Sequence, residues 1–412
     1  MADNLPDQEL KPSSSLPWTV RLLGLTSLLN DTASEMLAPV MPAFLTTVLH
    51  AAKWQIGLID GLGETVSSLT KLWSGARSDD LGRRKGFVLA GYMIAVLTRP
   101  LMGLAMSPWH VFGLRTVERI GKGIRTAPRD AMIADSTTEE TRGRAFGFHR
   151  AMDHLGAAMG ALIAVAFLWW TSGGLTTEGS QEEWQLRRLF SLSLIPGIHI
   201  LFLLPLALKE TPKATTGEAK ENVTPEPLSG NFGRYLAALL LFTLGNSSDS
   251  FLLVRAKELG VPLYALPILW IVFHLVKSGG NYVTGGWVQR VGARPLIWAG
   301  WLWYAAVYIA FGLANAAWQI WVLFLLYAVF YALTEPAEKA LVATLAGPQR
   351  KGLAYGWFNL ILGIGALPAS LLFGTIYDRA GPLAAFGTGA AFALAAAAVM
   401  LTVREEAAAS SA

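Results

Sequence analysis

Cysteine is absent from the 412 residues of this chain, and charged residues are scarce at 15%. The first absence excludes disulfide bonds and metal sites built on thiolates. The second sets the chain apart from soluble domains, in which about 25% of the residues are charged. Hydrophobic residues make up 53% of the sequence. The composition is therefore typical of an integral membrane protein.

Common catalytic motifs are also missing. The sequence contains no H-E-x-x-H zinc motif, no phosphate-binding loop, no dinucleotide fingerprint and no nucleophile elbow. We therefore expect no enzymatic activity, no cofactor and no resident metal ion.

Long apolar segments dominate the sequence, and a membrane-spanning helix needs about 20 apolar residues. Twelve segments qualify, at residues 18–46, 54–76, 86–106, 109–133, 145–170, 189–208, 233–255, 263–284, 295–315, 318–343, 354–377 and 383–403. They predict an all-α membrane protein with six-helix bundles at 18–208 and 233–403, joined by a polar linker at 209–232. Residues 1–17 and 404–412 are predicted as tails, and 171–188 as the longest loop on the opposite side.

Basic residues mark one side of the membrane. Arg83 and Arg84 share a short loop with Lys85, whereas the loops at 107–108 and 315–317 carry no charge. This bias places the basic loops in the cytoplasm. We therefore predict a multi-pass protein of the cell (inner) membrane with the tails and the linker cytoplasmic. The pI near 9.2 then reflects topology and does not require nucleic-acid binding.

A repeat divides the chain into two related halves. The segment Gly75–Lys85 recurs in degenerate form at Gly285–Arg294. A second pair, Thr126–Pro128 and Thr334–Pro336, keeps the same order. Internally repeated membrane bundles are the usual plan of secondary transporters.

The repeated loop resembles the motif G-x-x-x-D-R-x-G-R-R of the major facilitator superfamily. The matching residues are Gly75, Asp79, Gly82, Arg83 and Arg84, with Asp80 in place of the usual arginine. The resemblance covers nearly the whole chain. It implies two pseudo-symmetric six-helix bundles and transport by alternating access. It also implies a gating role for the matching residues and for Arg290 in the second copy.

Acidic residues inside the predicted spans are candidates for proton coupling. A charge at the bilayer centre costs about 2.5–3.5 kcal/mol, so it needs a cavity or a partner. Asp31 and Glu35 are four residues apart and share one helix face. We interpret them as a protonatable pair facing a cavity, assisted by Glu64, Asp153 and His154. The alternative is that both acids pair with basic residues of the fourth span.

The fourth span holds five basic and two acidic residues. This excess favours either an anion site or a lattice of ion pairs with acids on neighbouring helices. Arg119 matches the superfamily's fourth-helix motif R-x-x-x-G-x-G, whose last glycine is replaced by Arg125. The predicted substrate-binding residues are Asn30, Arg119, Arg125, Asn246, Asp249, Glu335 and His274, the repeat mate of Glu64.

These features predict a secondary transporter, with proton-coupled export of a small polar or charged solute as the preferred function. Two other cargoes stay open, a transition-metal ion held by carboxylates and imidazoles, and an organic anion. A non-transporting membrane sensor or scaffold is the alternative of another class. The predicted partners are the substrate, protons and the lipid bilayer, without nucleic acid, and the predicted state is a monomer.

Overall fold

The computed structural model describes residues 16–137, 139–210, 230–346 and 351–404, and all regular structure in these residues is helical. The α-helices are α1 (Trp18–Glu35), α2 (Met41–Ala43), α3 (Lys53–Leu81), α4 (Lys85–Met102), α5 (Pro108–Asp135), α6 (Glu139–Ser172), α7 (Gly179–Leu192), α8 (Leu194–Ala207), α9 (Gly230–Gly245), α10 (Ser250–Glu258), α11 (Leu266–Val291), α12 (Ala293–Leu313), α13 (Ala317–Ala346) and α14 (Lys351–Met400). A π-helix at Phe44–Val48 follows α2, and a 3-10 helix at Leu263–Ala265 precedes α11. The predicted tails and linker lie mostly outside the described residues.

The helices form the twelve predicted spans. In the described part of the chain, eight stretches are long and apolar enough to cross a membrane. One of them, Ala354–Met400, holds two spans, because α14 breaks at Gly381, where φ is +81°. The charged helices α1, α3 and α5 supply the remaining three. Hydropathy alone misses these three because they carry more charged and polar residues than the other spans.

The sixth span differs from the prediction. Residues 171–188 are predicted as a loop, and this prediction is wrong from Gly179 onward, where α7 begins. Leu186, Leu189 and Phe190 recur at helical spacing and are buried. The Phe190 ring packs against Phe44, with the ring centroids 4.8 Å apart. Together α7 and α8 form one span.

The two halves are built by similar packing. In the first half α1 packs on α6, and α3 and α4 pack on α5; in the second half α9 packs on α14, and α11 and α12 pack on α13. Between the halves, α3 lies along α14 before its break. Gly57 and Gly61 of α3 face the α14 backbone at Ser370 and Leu367, where a Cβ would not fit. These glycines allow the two helices to approach closely.

Candidate functional site

The end of the molecule away from the termini, which we call the closed end, is bridged by interactions between the halves. Lys53 at the start of α3 pairs with Glu258 at the end of α10 at 3.2 Å. The carboxylate of Asp378 on α14 accepts hydrogen bonds from the backbone N–H groups of Lys53 and Trp54 at 3.0 and 2.8 Å. The N-cap residue Ala52 has no polar side chain. A carboxylate from the other half therefore caps this helix.

A second set of contacts reinforces the closed end. Glu182 of α7 accepts hydrogen bonds from Lys257 of α10 at 2.9 Å and from Thr47 at 3.0 Å. Glu182 is only 3% exposed, whereas the side chain of Lys257 is 20% exposed, so only the acid of this ion pair is shielded from water. Tyr377 on α14 donates to Glu258 at 2.5 Å. The halves are thus joined by charged groups that must separate if this end opens.

Towards the termini, polar side chains inside the spans are exposed to solvent. The Glu64 side chain is 50% exposed and that of Lys339 is 60% exposed, and Lys122 and His154 are exposed as well. We call the space that these residues border the open cavity. Charged side chains at membrane depth need such an aqueous space.

A buried ion-pair lattice joins α1, α4 and α5 inside the first half. Glu118 on α5 lies 3.0 Å from Arg99 on α4 and 2.7 Å from Arg115. Arg99 also donates to the side-chain oxygen of Asn30 on α1 at 3.0 Å. This lattice balances part of the positive charge of α5. It also holds Asn30, a predicted substrate-binding residue, inside the half.

The two predicted substrate-binding arginines of α5 have different surroundings. Arg119 lies 3.6 Å from Glu64 of α3, and the exposed Lys122 is an electrostatic neighbour of both. Arg125 is buried, with its guanidinium 4.7 Å from the centroid of the Tyr92 ring. Arg119 therefore borders the open cavity, whereas Arg125 is packed inside the first half.

The predicted proton-coupling residues of α6 are also divided. Asp153 accepts a hydrogen bond from Ser27 of α1 at 2.5 Å and lies 3.5 Å from both His149 and Arg150. It is therefore partnered within the first half. His154, the next residue, is exposed.

Glu35 lies where the halves meet. Its carboxylate accepts a hydrogen bond from the indole N–H of Trp270 on α11 at 3.0 Å. Asp31, one turn earlier on α1, accepts from the Asn30 amide at 2.8 Å. In the residues that the structure describes, both acids are hydrogen-bonded by neutral donors and neither forms an ion pair with α5.

Two more carboxylates meet at the break between α9 and α10. Ser248 in this break donates to Asp60 of α3 at 2.8 Å, which links the halves. The neighbouring Asp249 accepts from Tyr327 and Tyr331 of α13 at 2.6 and 3.4 Å. Again the donors are neutral hydroxyl groups. Within the described parts of the chain, the acids along this interface are thus hydrogen-bonded by neutral groups and form no ion pair, while Lys122 and Arg119 are electrostatic neighbours of Glu35 and Lys277 is one of Asp249.

The remaining predicted substrate-binding residues lie in the second half. Glu335 on α13 lies 3.4 Å from Lys277 of α11. His274 packs edge-on against Trp270, and its buried Nε2 has no hydrogen-bond partner among the residues that the structure describes. The side-chain oxygen of Asn246 accepts a hydrogen bond from the hydroxyl of the buried Tyr304 on α12 at 3.4 Å. The structure therefore brings His274 close to Glu35 through their shared neighbour Trp270, and places Glu335 in an ion pair.

The predicted gating loop follows α3. Gly82 adopts φ +60°, the left-handed conformation that favours glycine at the end of a helix. Arg84 pairs with Asp79 at 2.8 Å and with Asp135 of α5. The other predicted gating residues are Gly75, packed beside α5, and the exposed Arg83 and Arg290. The ion pairs tie the loop to α5.

The neutral hydrogen-bond donors of the interface acids and the capping of α3 by Asp378 were not predicted from the sequence. Tyr327 and Tyr331 are four residues apart, a spacing that predicts a shared face, but nothing in it connects them to Asp249. Asp378 lies 325 residues from Lys53 in sequence, and no local pattern relates the two. The described residues contain no group of three or more His, Asp or Glu side chains that could hold a metal ion.

The sequence model of one protein family, the Major Facilitator Superfamily, matches residues 23–280 and 257–412 of this chain. The chain belongs to the major facilitator superfamily. An uncharacterised MFS-type transporter of Methanocaldococcus jannaschii is 30% identical over 91% of both chains. The multidrug resistance protein MdtH of Proteus mirabilis is 23% identical over 87% of this chain and 88% of its own.

Solved structures of superfamily members share the fold. A bacterial homolog of the human lysosomal transporter Spinster, inward-facing and occupied, has a TM-score of 0.72 at 16% identity, covering 93% of this chain and 96% of its own. The inward-open xylose transporter XylE from E. coli has a TM-score of 0.70 at 14% identity, covering 95% and 97%. The predicted superfamily fold is confirmed. As a member of this superfamily, the protein is a multi-pass membrane transporter and not an enzyme.

Proposed function

We propose that this superfamily member exports a small polar or charged solute in exchange for protons, by alternating access. We place it in the cell (inner) membrane as a monomer, with both termini in the cytoplasm because the basic loops lie at that end. The open cavity then faces the cytoplasm, and the conformation is inward-open. The proposed bundles are residues 18–208 and 233–403, with the linker at 209–232 and tails at 1–17 and 404–412.

The observation that carries the proposal is the position of Glu35 between the halves. Its partner across the interface is a neutral N–H donor 3.0 Å away. Gain or loss of a proton therefore changes the charge at the interface without breaking an ion pair. Because a buried charge is costly when it lacks a cationic partner, protonation changes the relative stability of the two conformations. A ligand that binds two states unequally shifts their populations, and a proton is such a ligand.

The proposed cycle begins with the cavity open to the outside. Protons neutralise Asp31 or Glu35, with Glu64, Asp153 and His154 assisting, and the solute leaves. The neutral interface then favours closure of the outer end, which gives the conformation described here. In this conformation the acids release protons into the open cavity, and the ionised site binds the next solute.

A cationic solute suits the acids of the interface. Asp60 and Asp249 are held by neutral hydroxyl groups, so a positively charged ligand could bind them without displacing an ion pair. The ring of Trp270, beside Glu35, offers a face for a cation with an apolar body. The ring of Tyr331, beside Asp249, already has the ammonium of Lys277 4.2 Å from its centroid. The name of the MdtH relatives, multidrug resistance protein, is consistent with such a solute.

A specific observation favours an organic anion as the second candidate. Lys122 is exposed and lies beside Arg119. Two neighbouring cations at the border of the open cavity would attract a carboxylate or a sulfonate. The two candidates predict opposite charge preferences.

Transport into proteoliposomes tests the proposal, with ethidium as the cationic probe and fluorescein as the anionic probe. We expect an imposed pH gradient to drive ethidium transport, and the Glu35→Gln variant to lose this driven transport. Glutamine keeps an oxygen that accepts from Trp270 but cannot exchange a proton. The matched control is Glu183→Gln, an exposed acid that pairs within α7. Driven transport of fluorescein alone would select the anion candidate, and flux that ignores the pH gradient would refute proton coupling.

A further inference from the structure

Glu338 on α13 is an acid inside the second half that the proposed cycle does not use. It is partly buried. The two charged residues nearest to it, Glu335 and Lys339, pair with each other at 3.7 Å. In the described residues, Glu338 forms no ion pair of its own.

Two buried donors face this carboxylate from neighbouring helices. Trp301 on α12 is within reach of Glu338, and Tyr235 on α9 is close enough to interact with it electrostatically. Both side chains are 0% exposed. In the described residues, the phenol O–H of Tyr235 has no hydrogen-bond partner, and the indole N–H of Trp301 lies close to the Glu338 carboxylate without reaching good hydrogen-bond geometry with any acceptor. Buried polar groups without a partner are rare, so each such group calls for an explanation.

At the corresponding place in the first half, the basic residue Arg129 forms an ion pair with the acid next to it, Asp130. There Arg129 of α5 lies 2.9 Å from Asp130 and 3.5 Å from Ser27 of α1. The repeat aligns Pro128 with Pro336, so Asp130 corresponds to Glu338, and Ala337 stands where Arg129 would be. The second half therefore has an acid at this position without a basic residue directly before it.

An acid in this position has two stable arrangements. When it is protonated, it carries no charge and needs no cation, which fits the arrangement seen here. When it is ionised, it needs donors, and two unused donors lie beside it. Hydrogen bonds from neutral donors stabilise a buried carboxylate in the absence of a counter-ion.

We propose that Glu338 is a proton-binding residue of the second half. It holds its proton in the inward-open conformation. On losing that proton to water in the open cavity, its carboxylate turns to accept hydrogen bonds from Tyr235 and Trp301. The inference extends the proton coupling proposed above and adds a second acid, in the other half of the molecule.

Other charged and titratable groups surround Glu338, and their contributions must be separated from its own. Glu335 and Lys339 lie on the same helix. On α11, Lys277 pairs with Glu335 at 3.4 Å, and on α14 the hydroxyl of Tyr355 donates to the Lys339 carbonyl at 2.9 Å. Glu335 therefore has two cationic partners, whereas Glu338 has none within the described residues.

Infrared difference spectra of the purified full-length protein, recorded between acid and alkaline pH, test the inference without a transported substrate. We expect the wild-type protein to lose a protonated-carboxyl band as the pH rises, and Glu338→Gln to lack one component of that band. Tyr235→Phe and Trp301→Phe should retain that component to higher pH, because each removes a donor to the ionised form. Glu338→Asp should restore a titrating band if the glutamine variant folds poorly.

The matched control is again Glu183→Gln, which should leave the buried component unchanged. Spectra of Glu338→Gln that superimpose on those of the wild type would overturn the inference, as would a component that does not move in either donor variant. The result is independent of the proteoliposome assay. Loss of the component upholds proton binding at Glu338 even where probe flux ignores the pH gradient, so the two proposals can fail separately.

Discussion

The carboxylate of Asp378 offers the sharpest test of how the closed end is held. It accepts two hydrogen bonds from the first backbone N–H groups of α3, at 3.0 and 2.8 Å. These bonds cross from one half to the other. The change Asp378→Ala removes both while leaving the salt bridge between Lys53 and Glu258. We expect the variant to populate conformations in which the closed end is open.

The magnitude follows from helix capping. Loss of an N-cap side chain costs roughly 0.5–2 kcal/mol. The cap from Asp378 exists only while the halves are together, so the full loss falls on the closed conformation. A loss of about 1–2 kcal/mol would change the ratio of closed to open molecules by roughly 5–30-fold.

The absence of cysteine simplifies the measurement. Cysteines introduced at Thr176 and Asn315, which are exposed at the closed end of opposite halves, become the only sites for spin labels. Pulsed electron paramagnetic resonance then gives the distribution of distances between them. Asp378→Ala should add a population at longer distance.

The control for Asp378→Ala is Glu183→Ala. It also removes an acid at the closed end, but its partner Arg187 lies in the same helix, at 2.8 Å. An unchanged distance distribution in Asp378→Ala would refute the capping argument. An equal shift in Glu183→Ala would show that net charge, and not the cap, is responsible.

Two further predictions concern folding and helix contact. Glu118→Gln leaves the guanidinium groups of the buried Arg99 and the partly buried Arg115 without their carboxylate, and breaking a buried pair in this way costs about 3–5 kcal/mol. The melting temperature in detergent should fall well below that of Glu183→Gln, and equal values would contradict a structural role for the lattice. Gly57→Ala places a methyl group against the α14 backbone at Ser370. It should force α3 and α14 apart and shift the same label distances, whereas an unchanged distribution would show that the close contact is not needed for closure.

Much of the fold could be read from local patterns. Long apolar segments, the repeated loop and the bias of basic residues predict two six-helix halves, and each of these signals is contained in a short stretch of sequence. The prediction failed at α7, because the polar and charged residues in the first turns of this amphipathic helix have the composition of a loop. The sequence also identified acids worth attention, such as Asp31 and Glu35, since charges inside apolar spans are rare.

The partners of those acids were decided by the tertiary structure. Helical spacing places Glu35 on a face of α1 but does not say whether that face meets α5 or the other half. The rotation and packing of the helices put Trp270 within hydrogen-bond distance, and the pairing of α3 with α14 put Asp378 at the start of α3. Sequence by itself therefore determined the helical membrane fold and the superfamily, because these depend on local composition and local motifs. Only the folded chain decided which charges are paired and which remain without a counter-ion, because that depends on contacts between residues hundreds of positions apart.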